Sequence, residues 1–246
     1  MTCALYTDLS SYYDLMCRDI DYQNQSHWVC RLHQLFSNED KQHIDLACGT
    51  GPHIRHFINM GYQCQGLDIN QPMLDIARKR CPEALFTLGN MIDFSVDEPV
   101  DLISCFLYSV HYCQNIAMLN DCIKCVHRAL KTGGMFCFNA VDKNTINNDK
   151  FEQHCAQHGG SQFTFTSAWD YCGEGEQQHL AISIEKEHEN KRQSWQDRHS
   201  MVALSFGQLQ HMLRPYFEIT LFEHDYTKLV PWHPSSGNAI FSCVKL

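Results

Sequence analysis

The stretch Asp45-Leu46-Ala47-Cys48-Gly49-Thr50-Gly51 decides how this chain reads. A short apolar run over residues 43–47 precedes it and predicts a buried strand. A helical pattern over residues 52–60 follows, with Pro52 in its first turn, where proline is tolerated. Glycine between a strand and a helix lets backbone come close to a ligand and take torsions that side chains resist. The helix start adds free N–H groups. In an open parallel sheet, ligands bind at the carboxyl ends of the strands. Alone, a G-x-G segment is as readily a tight turn. Ile54 stands where the dinucleotide fingerprint needs its third glycine, which argues against a nicotinamide or flavin cofactor.

Two further segments repeat the theme. A strand over residues 62–67 ends in Gly66-Leu67-Asp68. A carboxylate at that place can accept both hydroxyls of a ribose; the plainer reading is a turn or cap aspartate. After a strand over residues 84–88 comes Gly89-Asn90-Met91-Ile92-Asp93-Phe94. The Asn90 amide can pair with a purine edge, and Met91 or Ile92 can pack on its face.

Around these motifs, strand-like and helix-like segments alternate through the first half, as a parallel sheet with crossover helices requires. Residues 22–36 predict a helix with Trp28, Leu32, Leu35 and Phe36 on one face. Asn70 reads as an N-cap before a helix whose apolar face is Met73, Leu74 and Ala77. Residues 100–107 are almost wholly apolar, as a strand buried on both faces should be. Ile116, Leu119, Ile123, Val126 and Leu130 mark the clearest helix. Gly133-Gly134 is expected to end it, before a fifth strand over residues 135–138. Residues 140–160 are polar and expected as loop or irregular helix. Residues 162–170, 179–187 and 193–201 read as extended, with turns at 173–176 and at Asn190-Lys191, and predict an antiparallel insertion over one edge of the sheet. Ser205 and Gln208 form a capping-box pattern, and strands are expected over residues 217–223 and 239–244.

Taken in order, D-x-A-C-G-T-G, G-L-D and G-N-M-x-D-F before an apolar fourth strand resemble the class I S-adenosylmethionine-dependent methyltransferase family, most closely over residues 40–140. Within it, Tyr13-Asp14-Leu15 and the antiparallel insertion look most like the small-molecule enzymes of the sugar N,N-dimethyltransferase type. The resemblance implies an α/β chain: a Rossmann-like, seven-stranded, mostly parallel sheet with helices on both faces and an antiparallel β insertion. It implies a single domain, with an N-terminal helical segment (1–40), a cofactor-binding core (41–140), the insertion (141–203) and a last helix and strands (204–246).

It also implies S-adenosylmethionine as cofactor and S-adenosylhomocysteine as product, with a small-molecule acceptor whose methylated atom is an amine nitrogen. Ala47, Gly49 and Gly51 would face the methionine part, Asp68 the ribose and Ile69 the adenine. Asn90 and Met91 would meet the adenine edge and face. Phe106 and Tyr108 would approach the sulfur. Asp45, Cys48, Met73 and Ile92 belong to the same expected cofactor set. Many family members have aspartate where this chain has Asn90. His111, Tyr13 and Tyr112 are the candidates for proton handling and alignment. Tyr13, Trp169, Trp195 and His199 are the candidates for the acceptor wall, with Trp232 and His233 behind them.

Composition bounds the alternatives. The net charge of -9 argues against a phosphate-backbone partner; the basic run Arg78-Lys79-Arg80 suits a helix C-terminus. No apolar stretch approaches the ~20 residues that span a bilayer, and the first twenty residues lack a secretory pattern, so a cytoplasmic chain is expected. Its 14 cysteines then read as small buried hydrophobes. The one C-x-x-C pair, Cys122 and Cys125, lies within a helical pattern, so no metal is expected. A homodimer is left open. The rival readings are a nicotinamide-dependent oxidoreductase and a non-catalytic protein that binds adenosylmethionine or adenosylhomocysteine.

Overall fold

The computed structural model describes residues 4–6, 9–37, 40–189 and 191–246. The expected alternation is present. After a short helix α1 (Ser10–Met16) and the amphipathic α2 (Tyr22–Phe36), the chain runs β1 (Gln42–Leu46), α3 (Pro52–Asn59), β2 (Gln63–Asp68), α4 (Gln71–Arg80), β3 (Leu85–Leu88), β4 (Val100–Cys105), α5 (Ile116–Ala129) and β5 (Leu130–Val141). A four-strand segment follows: β6 (Glu152–His158), β7 (Ser161–Tyr171), β8 (Gln177–His188) and β9 (Lys191–Val202). Then come α6 (Phe206–Leu213), β10 (Phe217–Glu223) and β11 (Asn238–Lys245).

The main sheet has the order β10-β11-β5-β4-β1-β2-β3. β1 to β5 pair in parallel, and β11 enters antiparallel between β5 and β10. Strand order therefore reverses between β1 and β4, and the crevice at their carboxyl ends is where a doubly wound sheet binds ligands. β4 is buried along its whole length, as its composition predicts. One face of the sheet packs on α5 and α6 through Leu119, Ile123, Phe136, Phe138 and Phe241. The other packs on α2 and α3 through Trp28, Leu32, Ile54, Phe57 and Leu102. The sequence-predicted strand–helix boundaries fall within a residue or two of those observed, apart from three places.

Gly133-Gly134 does not end α5. The helix gives way at Ala129 directly to β5, because Leu130 is buried and pairs with Val100. The residues between that pair and the next, Leu102 with Met135, form an irregularity in which Gly133 takes φ +76°. Residues 140–160, expected as loop or irregular helix, hold the end of β5, a 3-10 helical turn (Lys143–Thr145) and all of β6. β6 escapes a sequence reading because an exposed edge strand with polar side chains on both faces has no alternation to detect. Asn70 occupies the N-cap of α4 without capping it; its side chain turns back to Asp68.

The second sheet, β6-β7-β8-β9, is wholly antiparallel. Of the turn expected at Asn190-Lys191, residue 190 lies outside the described residues. This cap does not sit on a sheet edge. It packs over the carboxyl end of β4, where His111 and Tyr112 bond to residues of β8 and β9. The N-terminal segment fills the angle between cap and main sheet. Leu5, Leu9 and Tyr12 pack on Phe163, Phe165, Ile182 and Ile184 of the cap, and Trp195 belongs to the same cluster.

Candidate active site

The loop after β1 adopts left-handed torsions at Ala47 (φ +53°), Gly49 (φ +53°) and Gly51 (φ +78°). Glycine removes the steric cost at two of the three; Ala47 bears it. A second strained pair, Leu107 (φ +55°) and Tyr108 (φ +60°), follows β4. Such outliers persist where surrounding structure holds them, and they gather at ligand sites. Here both groups line one crevice. A small cavity opens there, bounded by Asp45, Ala47, Cys48, Gly49, Pro52, His53, Phe106, Leu107, Ser109, Tyr13 and Tyr22.

Two aspartates set its charge. Asp68, at the tip of β2, accepts Gly49 N–H at 2.8 Å and Asn70 N–H at 2.8 Å. Its side chain thus braces the glycine loop, and unused lone pairs remain on its oxygens. Burial pushes its carboxyl above the usual range, against the backbone N–H groups that pull it down. Asp45 is 2% exposed and accepts Ser104 Oγ–H at 2.6 Å. Burial pushes it up to about 7, with Ser104 pulling down and Asp68 adding to the rise. Gly66 makes the closeness of these strands possible: a Cβ there would lie 2.7 Å from Ile54 and Phe86 and 2.8 Å from the Cys48 sulfur.

Apolar groups flank the carboxylates. Ile69 is 64% exposed and Leu88 53% exposed, at the adjacent tips of β2 and β3. Ile92 is partly buried beside them, while Met91 is sunk into the core under α5. The Asn90 side-chain oxygen accepts Ile92 N–H at 3.2 Å, so its amide N–H groups are what it can offer a ligand. Met73 is buried, its Cε 3.8 Å from where a Gly49 Cβ would be; Tyr13 Cε1 lies equally close.

The roof is aromatic. Tyr13 descends from α1 and Tyr22 from the first turn of α2, and both hydroxyls meet the Cys17 thiol. α1 is held down by Asp14, which accepts from Thr50 Oγ1 at 2.5 Å and pairs with Arg80. Arg80 also donates to the Thr50 carbonyl at 2.8 Å. His53 stacks near Phe106 (5.3 Å between rings) and Tyr22 (4.9 Å), bonds Gln25, and is held down at about 3 by burial.

Toward the cap, Tyr108 meets Trp169 edge-on at 5.4 Å and stacks on His224 at 5.8 Å. Asn139, at the end of β5, accepts Tyr108 N–H and reaches His224 Nε2, as does the Tyr226 hydroxyl. His111 is buried with both ring nitrogens committed. Nδ1 bonds the Val202 carbonyl at 2.9 Å, and Nε2 accepts Val141 N–H at 3.2 Å. Burial holds it at about 4, so it is neutral. The Tyr112 hydroxyl lies 2.5 Å from His199 Nδ1 and 2.6 Å from the Tyr6 hydroxyl.

The structure therefore gathers Asp45, Ala47, Cys48, Gly49, Phe106 and Tyr13 around one cavity, with Gly51, Asp68 and Met73 braced against its loop. It sets Ile69, Asn90 and Ile92 on the neighbouring tips and Tyr108 with Trp169 on the cap side. His199 and Tyr112 sit in a buried cluster with Tyr6, and Trp195 lies in the cap's own apolar core. Trp232 packs on Phe206 and bonds Ser236, and His233 is exposed. Sequence reasoning missed Tyr22, His53, Asn139, His224 and Tyr226. None carries a local signal; they come from α2, α3, β5 and the loop after β10. Among the described residues no three His, Cys, Asp or Glu gather as a metal site, and no helix is long and apolar enough to cross a membrane.

Residues 44–134 match a family model described as a methyltransferase domain. The chain is 29% identical over 137 residues to a dTDP-4-amino-2,3,4,6-tetradeoxy-D-glucose N,N-dimethyltransferase of Saccharopolyspora spinosa, covering 54% of this chain and 55% of that protein. It is 30% identical over 130 residues to a dTDP-3-amino-3,4,6-trideoxy-alpha-D-glucopyranose N,N-dimethyltransferase of Streptomyces venezuelae, covering 52% and 55%. The chain thus spans about half the length of the curated relatives it matches. Its fold extends further: the crystal structure of Streptomyces venezuelae DesVI superposes with a TM-score of 0.84 at 21% identity, covering 98% of this chain and 99% of that one.

Proposed function

We propose that this chain, whose residues 44–134 match a methyltransferase domain, transfers a methyl group from S-adenosylmethionine to the amine of a small-molecule acceptor. The curated relatives act on amino sugars carried on dTDP, which points to an amino sugar as the acceptor class.

The observation that carries the reading is the pairing of the glycine loop with Asp68, through Gly49 N–H at 2.8 Å, beside a cavity bounded by the Asp45 carboxyl. The residues fit the cofactor. No Lys or Arg is among the residues bounding the cavity, which suits a cation. Ile69 and Leu88 offer apolar surface where an adenine would lie. A nicotinamide dinucleotide fits less well, because Ile54 is buried against Gly66 and cannot yield the close helix approach that the third glycine allows.

When bound, S-adenosylmethionine supplies an electrophilic methyl on a sulfonium. The chain's residues bind, orient and exclude water. Asp68 takes the ribose hydroxyls. Asp45 faces the positive end. Asn90 donates to the adenine edge and Ile92 packs on its face. Tyr13 and Phe106 surround the cavity with rings whose faces attract a cation. Displacement at the methyl needs an amine lone pair held in line, which is mostly positioning. Tyr13 at the cavity and the Tyr108–Trp169 pair on the cap side are the groups for that task. His111 serves by holding the loop after β4 to Val141 and Val202, since its nitrogens are committed. The Tyr112–His199 pair, linked to Tyr13 through Tyr6, offers the acceptor for the proton that the amine must lose.

Calorimetric titration with S-adenosylmethionine and with nicotinamide dinucleotides tests the cofactor, and adenosylhomocysteine formation across an amine and amino-sugar panel tests the reaction. Asp68→Asn should lower cofactor affinity by roughly 10- to 100-fold, the cost of losing a charged acceptor (about 1.5–3 kcal/mol). Absence of heat with the wild-type chain, or turnover with none of the amines, would retire the proposal.

A further inference from the structure

Behind Asp45, away from the cavity, lies a histidine that the mechanism above does not use. His43 is on β1, two residues before Asp45, and is wholly buried. Its Nε2 is 2.8 Å from Ser104 Oγ on β4, and Ser104 in turn is 2.6 Å from Asp45 Oδ1. Its Nδ1 is 3.5 Å from Cys64 Sγ on β2. A hydroxyl has one hydrogen. Ser104 gives its hydrogen to the carboxylate, so its oxygen must accept from His43 Nε2–H. Nδ1 is then unprotonated and faces the Cys64 sulfur, whose single S–H also reaches the Tyr62 carbonyl at 3.7 Å. The donors of His43 and Ser104 both point the same way, toward Asp45.

We propose that His43 and Ser104 are positioning residues that aim a one-way chain of hydrogen bonds at the Asp45 carboxylate and so ready it for the cationic end of the cofactor. The inference rests on the cofactor reading above. Hydrogen bonds in series polarise one another, so the imidazole strengthens the serine as a donor. Donors on a carboxylate favour its charged form, against the burial that disfavours it. Without the imidazole, Ser104 loses its inbound donor and its hydroxyl is free to turn away.

The groups that face this chain leave its sign clear. Asp68 on β2 is the other acid near Asp45, and replacement of His43 leaves its bonds to Gly49 and Asn70 intact. The thiols of Cys48, Cys64 and Cys105, from the loop, β2 and β4, are all pushed up by burial and stay protonated. Tyr13 and Tyr22, from α1 and α2, are pushed up likewise. Around His43, His33 of α2 and His53 of α3 both disfavour a second positive charge. Phe57 lies 4.1 Å from its ring and Tyr62 6.2 Å.

The test is the pH dependence of S-adenosylhomocysteine binding, measured by calorimetry from pH 5.5 to 9 on the full chain. S-adenosylhomocysteine carries the α-ammonium but not the reactive methyl, so no turnover intervenes. In His43→Phe, which keeps a ring against Phe57 but has no N–H, the midpoint of the affinity profile should rise by about one pH unit, with wild-type affinity regained at the alkaline end. Ser104→Ala should do the same or more, and His43→Gln, which restores a donor, should return part of the shift. A profile superimposed on wild type, or one lowered equally at every pH, overturns the proposal. Should His43→Phe fail to fold, nitrogen-15 NMR of the wild-type histidines decides. His43 should be neutral with its proton on Nε2 from pH 6 to 9, and a proton on Nδ1 overturns the chain's direction. If the wild type binds no S-adenosylhomocysteine, the cofactor reading fails, and the NMR measurement still judges the hydrogen-bond chain.

Discussion

Gly49 illustrates how much one residue carries. Its φ of +53° is left-handed, its N–H is the donor to Asp68, and its missing Cβ faces Met73 and Tyr13 at 3.8 Å with no clash. Space is therefore not what requires glycine; the torsion is. Gly49→Ala should cost about 1–2 kcal/mol from the left-handed penalty, a fall of several degrees in melting temperature for a chain of this size. Cofactor affinity should fall further than stability, because a methyl group would enter the space between Tyr13 and the loop. A melting temperature unchanged from wild type would mean the loop relaxes out of the left-handed region. Ala47, at the same φ without glycine's freedom, argues that the loop is held by its neighbours, and Ala47→Gly should raise stability slightly in the same assay.

At the scale of elements, α1 is the informative one. Seven residues do not make a self-sustaining helix. α1 stays in place because Asp14 bonds Thr50 and Arg80, and because Tyr12 packs on Phe163 of the cap. Arg80 ends α4, where its charge also suits the helix dipole. The Asp14–Arg80 pair is partly exposed, so Asp14→Ala should change global stability by less than about 1 kcal/mol. Its local effect should be larger. Hydrogen exchange of the α1 amides should speed several-fold while β1 and β4 stay protected, and bound S-adenosylhomocysteine should dissociate faster. Unchanged exchange in α1 would show that apolar contacts with the cap suffice to hold it.

For the whole molecule, buried histidines and buried aspartates pull stability in opposite directions with pH. His43 is held well below its ordinary value, His53 at about 3 and His111 at about 4, each chiefly by burial. Between those values and about 6.5 the unfolded chain binds protons that the native chain refuses, so stability is lost as pH falls, by about 1.4 kcal/mol per pH unit for each histidine. Asp45, raised to about 7 by burial, does the reverse: from about 4 to 7 the native chain binds a proton that the unfolded chain does not, so stability falls as pH rises. Three histidines outweigh two aspartates, Asp68 being raised by burial as Asp45 is. The melting temperature of the ligand-free protein should drop between pH 6.5 and 4.5. Asp45→Asn should steepen that drop by removing the opposing contribution. A profile that rises toward acid would refute the neutral histidines.

The sequence by itself determined the parallel core, the glycine loop, Asp68 at the second strand tip and three strands of the cap, because each is written in local chemistry: periodicity, turn residues, a strand's continuous apolar run. It determined neither β6, whose polar edge shows no period, nor the start of β5, where a long-range pairing of Leu130 with Val100 overrode a glycine pair. Only the tertiary structure decided that the cap stands over the end of β4, that Tyr22, His53 and His224 converge from three separate elements, and that His111 spends both nitrogens on backbone. It alone joined His43 to Asp45 through Ser104, 61 residues along the chain from His43. The physical reason is the order of the sheet. β1 lies between β2 and β4, so its side chains meet partners that no sequence spacing foretells.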